Sequence, residues 1–324
     1  MKGRLLPSVP PAAIVLVVLL IVLALAVPRF ATVGNLANVV RIAAILALAA
    51  FGQSIAIVTG GLDFSSGSTV ALTSVVTVLL LQSFGTTSAF AAGAAVAVAI
   101  GAFNGLLIAY CELPAFLVTL GTLIAGHGLA SVLVGGIPLE APPAPGFFWL
   151  AQGTLAHVPV PILLAALGFA VLAWLQRRTA LGRAWYLIGA NPRAARLAGI
   201  AIRRSTFAAY VLNGAFVALA GLVLTARVSS GQPNLFPSLP FEAIAACAIG
   251  GLPLSGGLGK PGQVLTGILI VATVGNAVVL MNFSSAIQLM LIGALTVLAV
   301  LLQFGAPRLR AAARAATRVA ESAR

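Results

Sequence analysis

Chemistry has few places to happen in this chain of 324 residues, because only five are acidic and two are histidines. Asp63 lies inside "TGGLDFSSGS" (59–68), Glu242 opens an apolar run, and Glu112 and Glu140 sit in polar breaks. No two carboxylates, and no carboxylate and histidine, stand at a spacing suited to general acid–base work. His127 and His157 are isolated, and Cys111 and Cys247 form no CxxC pair, so neither a metal site nor a cofactor is expected. What remains is Asp63 with hydroxyls following at Ser65 and Ser66. An ionisable group between apolar segments faces a bundle interior or a wet cavity. The same carboxylate could instead cap the next helix by accepting from the amides near Ser65 and Ser66.

A second stretch, "GGLPLSGGLGKPG" (250–262), imitates a nucleotide site twice over: LSGG matches the signature of ABC-type ATPases, and GLGK the end of a phosphate loop. A phosphate loop requires G-x-x-x-x-G-K-[ST], with the hydroxyl holding magnesium. Leu254 stands where the first glycine is needed and Pro261 where the hydroxyl is needed, so ATP binding is excluded and a tight turn is expected.

The elements that must position these residues are set by composition. Hydrophobic residues make up 61% and charged residues 7%, with a mean hydropathy of +1.14. A soluble domain carries about a quarter charged residues, so this chain belongs in a bilayer. Apolar runs fall at 12–27, 36–58, 69–82, 89–110, 116–134, 158–176, 207–226, 242–253, 262–280 and 284–304. About 20 such residues cross a hydrocarbon core of about 30 Å as a helix, and the alternation of a barrel strand is missing. The expected fold is all-α: one polytopic membrane helix bundle (12–304) of about ten transmembrane segments, with glycine-rich broken helices. The eighth run is too short to cross unaided. The first is read as a retained span, since Pro28-Arg29-Phe30 follows Val27 without a small-x-small cleavage pattern.

With the N-terminus inside and ten alternating spans, fifteen Lys and Arg fall inside and three (Arg29, Arg41 and Arg227) outside. That asymmetry follows the positive-inside rule and places both termini in the cytoplasm, with a basic tail at 305–324. The net charge of +13 is then topological and calls for no nucleic-acid partner. Residues 51–68 align with 241–258 at an offset of 190, and Gly60, Gly61, Leu62, Ser65 and Gly67 are among the matches. Repeats of this kind often frame transporter sites, although here both copies would run in the same direction.

The longest inside loop, 177–206, is too polar to insert. Asn191-Pro192 is a good helix start, with Asn as cap and Pro at the first helical position. The short helix "PRAARLAGI", ended near Gly199, would present alanines and Leu197 as a smooth knob bordered by Arg193 and Arg196. Such a patch commonly marks a contact site. In the outside loop 135–157, Phe147-Phe148-Trp149 either anchors to headgroups or helps seat a partner.

At the loop 177–206 the chain resembles the permease subunits of ribose-type ABC importers. Five blocks carry the resemblance. They are Gly60–Ser68; Asn104-Gly105; Pro114–Thr122; Gly182-Arg183 through Tyr186, Gly189, Asn191, Ala194, Ala195, Arg196 and Gly199-Ile200; and Phe241-Glu242 through Gly251. The resemblance implies a non-enzymatic subunit in a bacterial inner membrane. It also implies a cytoplasmic ABC ATPase subunit, a periplasmic solute-binding protein and a second permease copy as partners. It assigns ATPase coupling to Gly189, Asn191, Arg193, Ala194, Ala195, Arg196 and Gly199. Candidates for the translocation pathway are Asp63, Ser65, Ser66, Asn104, Thr119, Thr122, Asn213, Glu242 and Asn276, a sparse and mostly uncharged set suited to a neutral polyol. Two rivals stay open: a branched-chain amino-acid-type ABC permease, and a stand-alone gradient-driven transporter with Asp63 as its coupling group. Phe64 stands where the family usually has leucine, and Leu252-Pro253 where it usually has Thr-Ser, so the solute is not fixed by the motifs.

Overall fold

The computed structural model describes residues 11–301; the basic tail at 305–324, Lys2 and Arg4 lie outside them. Helix α1 (Pro11–Ala26) leads through a turn into α2 (Val33–Val58), which starts where the Thr32 side chain accepts from Asn35 N. α2 ends at Thr59, and Gly60 follows with φ +92°, a conformation open to glycine at little cost. After the break come α3 (Ser66–Ala109), α4 (Ala115–Leu133), β1 (Leu139–Glu140), α5 (Pro145–Gln152), β2 (Thr154–Leu155) and β3 (Val158–Pro159). The second half holds α6 (Val160–Arg178), α7 (Ala180–Ala190), α8 (Pro192–Leu197), α9 (Ile202–Val228) and β4 (Ser230–Gly231). It closes with α10 (Leu239–Gly250), α11 (Pro261–Leu280) and α12 (Ser285–Leu301). The strands pair only as two-residue ribbons, β1 with β4 and β2 with β3.

The architecture is an all-α membrane helix bundle. Among the described residues, α2, α3, α4, α6, α9 and α11 are long and apolar enough to cross a membrane, while α1, α10 and α12 are apolar but shorter. α3 runs for 44 residues, yet it is not one rod. Gly85 has φ 77° and ψ 177°, and the chain reverses there. The reversal follows from Asn104 Nδ2, which donates to Ser65 Oγ at 2.9 Å. A straight helix would hold residues 39 apart at a distance of about 58 Å. The two halves of α3 therefore lie antiparallel, and they correspond to the apolar runs 69–82 and 89–110.

α2 threads the centre, enclosed by α9, α10, α11 and α6. Where α3 meets α9, Gly101 and Gly214 let the backbones touch: a Cβ at Gly101 would stand 2.5 Å from Tyr210 O and 3.0 Å from Gly214 Cα. Small residues serve this purpose in lipid, where packing replaces the hydrophobic effect between helices. α2 and α10 run parallel, with Ala50 beside Cys247 and Gly60 beside Gly256. Their left-handed glycines, Gly60 and Gly251, are 191 residues apart, so the backbone equivalence is shifted by one from the 190-residue alignment.

The connections sort to two ends. At one, Arg203 pairs with Glu112 (2.8 Å), Gly257 N donates to Val58 O (2.9 Å) and Tyr186 OH donates to Gly259 O (2.8 Å). At the other, Leu139 pairs with Gly231, and Arg41, Gln152 and Arg227 surround one cavity of about 290 Å³. Cys247 is buried as a small core residue, but Cys111 is exposed in the turn after α3.

Candidate functional site

The α2–α3 break is held from every side by polar groups. Asp63 Oδ1 accepts from Ser65 N (2.7 Å) and Ser65 Oγ (2.6 Å), a tight local turn of the capping kind. Its Oδ2 accepts from Asn213 Nδ2 on α9. Gln53 on α2, in the amide orientation that satisfies both partners, donates to Asp63 O (2.9 Å) and accepts from Asp63 N (3.2 Å). Asn104 Nδ2 donates to Ser65 Oγ, and Thr122 Oγ1 donates to Asn104 Oδ1 (2.6 Å), bringing in α4. Thr119 Oγ1 and Tyr210 OH each reach Leu62 O at 3.4 Å. Buried polar groups are tolerated when bonded, and here α2, both halves of α3, α4 and α9 share one network.

Six of the nine pathway candidates thus meet: Asp63, Ser65, Asn104, Thr119, Thr122 and Asn213. The Ser65 amide is the one Asp63 caps; Ser66 Oγ is buried without a hydrogen-bond partner, as is Asn213 Oδ1. Glu242 stays apart, accepting from Ser238 Oγ one turn back on α10 (2.9 Å). Asn276 does not join this network. It exchanges two 2.9 Å hydrogen bonds with Asn35, pinning α11 to the start of α2 at the opposite end of α2 from Asp63. Sequence reading missed Gln53 and Tyr210. The signal available for Gln53 was the one amide in the apolar stretch 42–58, ten residues before the only acid of that region.

An aromatic layer covers the break. Phe64 meets Phe116 edge-on at 5.3 Å and Phe241 at 5.9 Å, and the latter two are half-exposed. Phe64 is the ring that joins α4 to α10.

At the same end lies α8. Asn191 Oδ1 accepts from Arg193 N (3.0 Å) and Ala194 N (3.1 Å), Pro192 holds the first position, and Gly199 follows the helix with φ +77°. Arg193, Ala194, Arg196 and Leu197 are exposed, Leu197 at 91%. Ala195 is not part of the knob: it is buried against Ala184 and Ile188 of α7. Gly189 also faces inward, against Val58 and Gly257. α7 lies within the stretch 177–206 expected as loop. Its apolar positions 181, 184, 185 and 188 carry helical spacing, and Thr179 caps it by accepting from Gly182 N (3.0 Å). Trp185, fully buried, donates through Nε1 to Ser205 O (2.9 Å) and fixes α7 to α9. Beside α8, Arg203 hydrogen-bonds to Glu112 and holds its carboxyl below the usual carboxylate range. His127 contacts Pro233 O at 3.0 Å, a packing role, and no cluster of three or more metal-ligating side chains occurs among the described residues.

The family described as "branched-chain amino acid transport system / permease component" matches residues 35–300. The ribose import permease protein RbsC of Bacillus subtilis (strain 168) is 36% identical over 289 residues, covering 89% of this chain and 90% of that one. The protein of the same name from Escherichia coli (strain K12) is 33% identical over 292 residues, covering 89% and 91%. The L-arabinose transport system permease protein AraH of that strain is 33% identical over 291 residues, covering 89% and 88%. No solved structure matches the chain. Matched over this much of its length, the chain belongs to that permease-component family, whose members are membrane subunits of ABC transporters and not enzymes in their own right.

Proposed function

We propose that this chain forms the translocation pathway of an ABC importer for a monosaccharide or similar small polar solute, driven by ATP hydrolysis on a separate subunit. In this reading it crosses the inner membrane about ten times, α3 contributing two crossings, with both termini cytoplasmic. The arginine-rich end is the cytoplasmic one: eight of the described Lys and Arg residues cluster there and three lie at the other. α8 docks into the ATPase through Ala194 and Leu197, with Arg193 and Arg196 at the rim. A periplasmic binding protein delivers solute at the end bearing β1, β4 and α5, and a second permease copy completes the pathway within the lipid.

The observation that carries this reading is a pairing within one chain. An exposed, arginine-bordered helix and the buried Asp63 network lie toward the same end of the bundle, in a chain related to ribose and arabinose permeases across 89% of its length. A proton-driven transporter that used Asp63 would need its carboxylate free to take up and release a proton. Asp63 already has both oxygens bonded to Ser65 and Asn213, which favours a structural knot. The solute class rests on the named relatives, and the amino-acid alternative has no feature of this chain in its favour.

Reconstitution tests it. Proteoliposomes holding the permease and its ATPase, with the binding protein outside, are expected to accumulate labelled ribose or another monosaccharide only with internal ATP. Uptake by the permease alone under a proton or sodium gradient would overturn the ABC assignment. ATP-driven uptake of leucine and of no sugar would overturn the solute class.

A further inference from the structure

The stretch 250–262, with its borrowed nucleotide letters, has a physical role that the transport reading leaves unassigned. Gly256 and Gly257 have φ +86° and +75°, and both abut other backbones. A Cβ at Gly256 would lie 2.8 Å from Gly60 N and Cα; one at Gly257, 2.5 Å from Ala190 N; one at Gly189, 2.0 Å from Val58 O. Gly257 N donates to Val58 O at 2.9 Å. Three breaks therefore meet main chain to main chain: the end of α2, the end of α7, and the α10–α11 connection. A second strut runs beside them, where Tyr186 OH donates to Gly259 O (2.8 Å) and also contacts Gln176 Oε1 (2.9 Å).

The location matters as much as the tightness. Gly189 is two residues from Asn191, the cap of α8, and Gly60 is three residues from Asp63. Flexible side chains absorb small displacements by changing rotamer, whereas close-packed contacts pass them on. Between α8 and the Asp63 loop the points of closest approach are backbone against backbone, with the Ala190 methyl packed beside Gly257. We infer that this glycine junction is the transmission of the importer, with Gly189, Gly256 and Gly257 as positioning residues that turn a displacement of α8 into a displacement of the Asp63 loop. The inference rests on α8 being the ATPase dock, and it adds the route by which that dock reaches the polar network.

The measurement is solute imported per ATP hydrolysed in the reconstituted importer, for Gly189→Ala and Gly256→Ala and for two gentler changes. Ala190→Gly adds no atoms and loosens the joint; Tyr186→Phe removes only the strut. The ratio is expected to fall about tenfold in the alanine variants and about twofold in the gentler pair. In parallel, a Leu197→Cys variant is cross-linked to the ATPase. No cross-link would sink the docking reading itself. A normal cross-link with an unchanged ratio in all four variants would sink the junction alone. Should the alanine variants fail to fold, an unchanged ratio in Ala190→Gly and Tyr186→Phe is sufficient to overturn it.

Discussion

α2 and α4 are closely matched in mean hydropathy, yet 83% of an 18-residue apolar stretch of α2 is buried against 17% of one in α4. Hydropathy assigns both to the membrane and says nothing about what surrounds them. The difference comes from the polar and small residues. α2 carries Gln53 and Gly52 into contact with α9 and the Asp63 loop, while α4 sends Thr119, Thr122, Gly126 and Ala130 inward and turns Leu117, Gly121, Ile124 and Val132 outward. In lipid, apolar surface gains nothing by leaving the tails, so close packing and hydrogen bonds decide which helix is central.

The largest test of that contrast uses one substitution at two glycines. A Cβ at Gly52 would stand 2.4 Å from Asn213 Oδ1 and 3.0 Å from Asn213 O, whereas one at Gly121 meets nothing within 4 Å. Gly52→Val is expected to cost about 3 kcal/mol or more through overpacking, seen as lost folded yield and a lowered Tm in detergent. Gly121→Val should leave both unchanged. Equal tolerance would erase the distinction between the two helices. Loss of transport by Gly121→Val in the assembled importer alone would instead locate the second permease copy on α4.

Next in size is the knot itself. Asp63→Leu strands Ser65 N and Asn213 Nδ2 without acceptors, at about 1–3 kcal/mol each. Asp63→Asn should cost far less, because the unpartnered Asn213 Oδ1 can accept from the new amide once the Asn213 side chain flips. Thermal melts separate the two variants. The same pair sharpens the functional contrast: ATP-driven uptake is expected to survive Asp63→Asn, whereas gradient coupling through this residue would require its loss.

Much of this was legible in the sequence, for identifiable reasons. Asn191-Pro192 announced α8 because capping is local, and "TGGLDFSSGS" announced a break because glycine and Asp disrupt an apolar run. The halves of α3 were separable as apolar runs because "QSFGTTS" (82–88) is polar and holds the reversing Gly85. What stayed hidden depends on distant partners. Asn276 looks like any polar lining residue until Asn35, 241 positions away, is seen to pair with it. Ala195 and Ala194 are adjacent alanines, and only the packing of α7 beneath α8 turns one inward. The role of 250–262 was illegible for the same cause, since Gly256 and Gly257 answer to backbones at 57–60 and 189–190.

A smaller effect on stability is expected where the knob faces water. Leu197→Asp removes no packing and should leave Tm unchanged while uncoupling ATP hydrolysis from transport. Ala195→Asp places a charge in the cluster with Ala184 and Ile188 and should lower Tm. If the two variants behave alike, the inward and outward faces of α8 are misassigned.

The smallest effect belongs to the ion pair beside α8, and it closes the contrast between enclosed and exposed positions. Asp63 and Glu112 are both carboxylates bonded to side chains of α9, one by Asn213 and the other by Arg203. The Arg203–Glu112 side chains are 61% and 65% exposed, so water and salt screen their attraction. Because the folded state holds Glu112 below the ordinary carboxylate range, its contribution is complete above the unfolded value and disappears as pH falls through the folded one. Glu112→Gln is therefore expected to leave Tm unresolved from the parent at neutral pH and physiological salt. It should also abolish whatever small acid-side decline the pair produces at low ionic strength. A clear loss at neutral pH would mean that this ion pair is as enclosed as the α2–α3 break, against the exposure of both side chains.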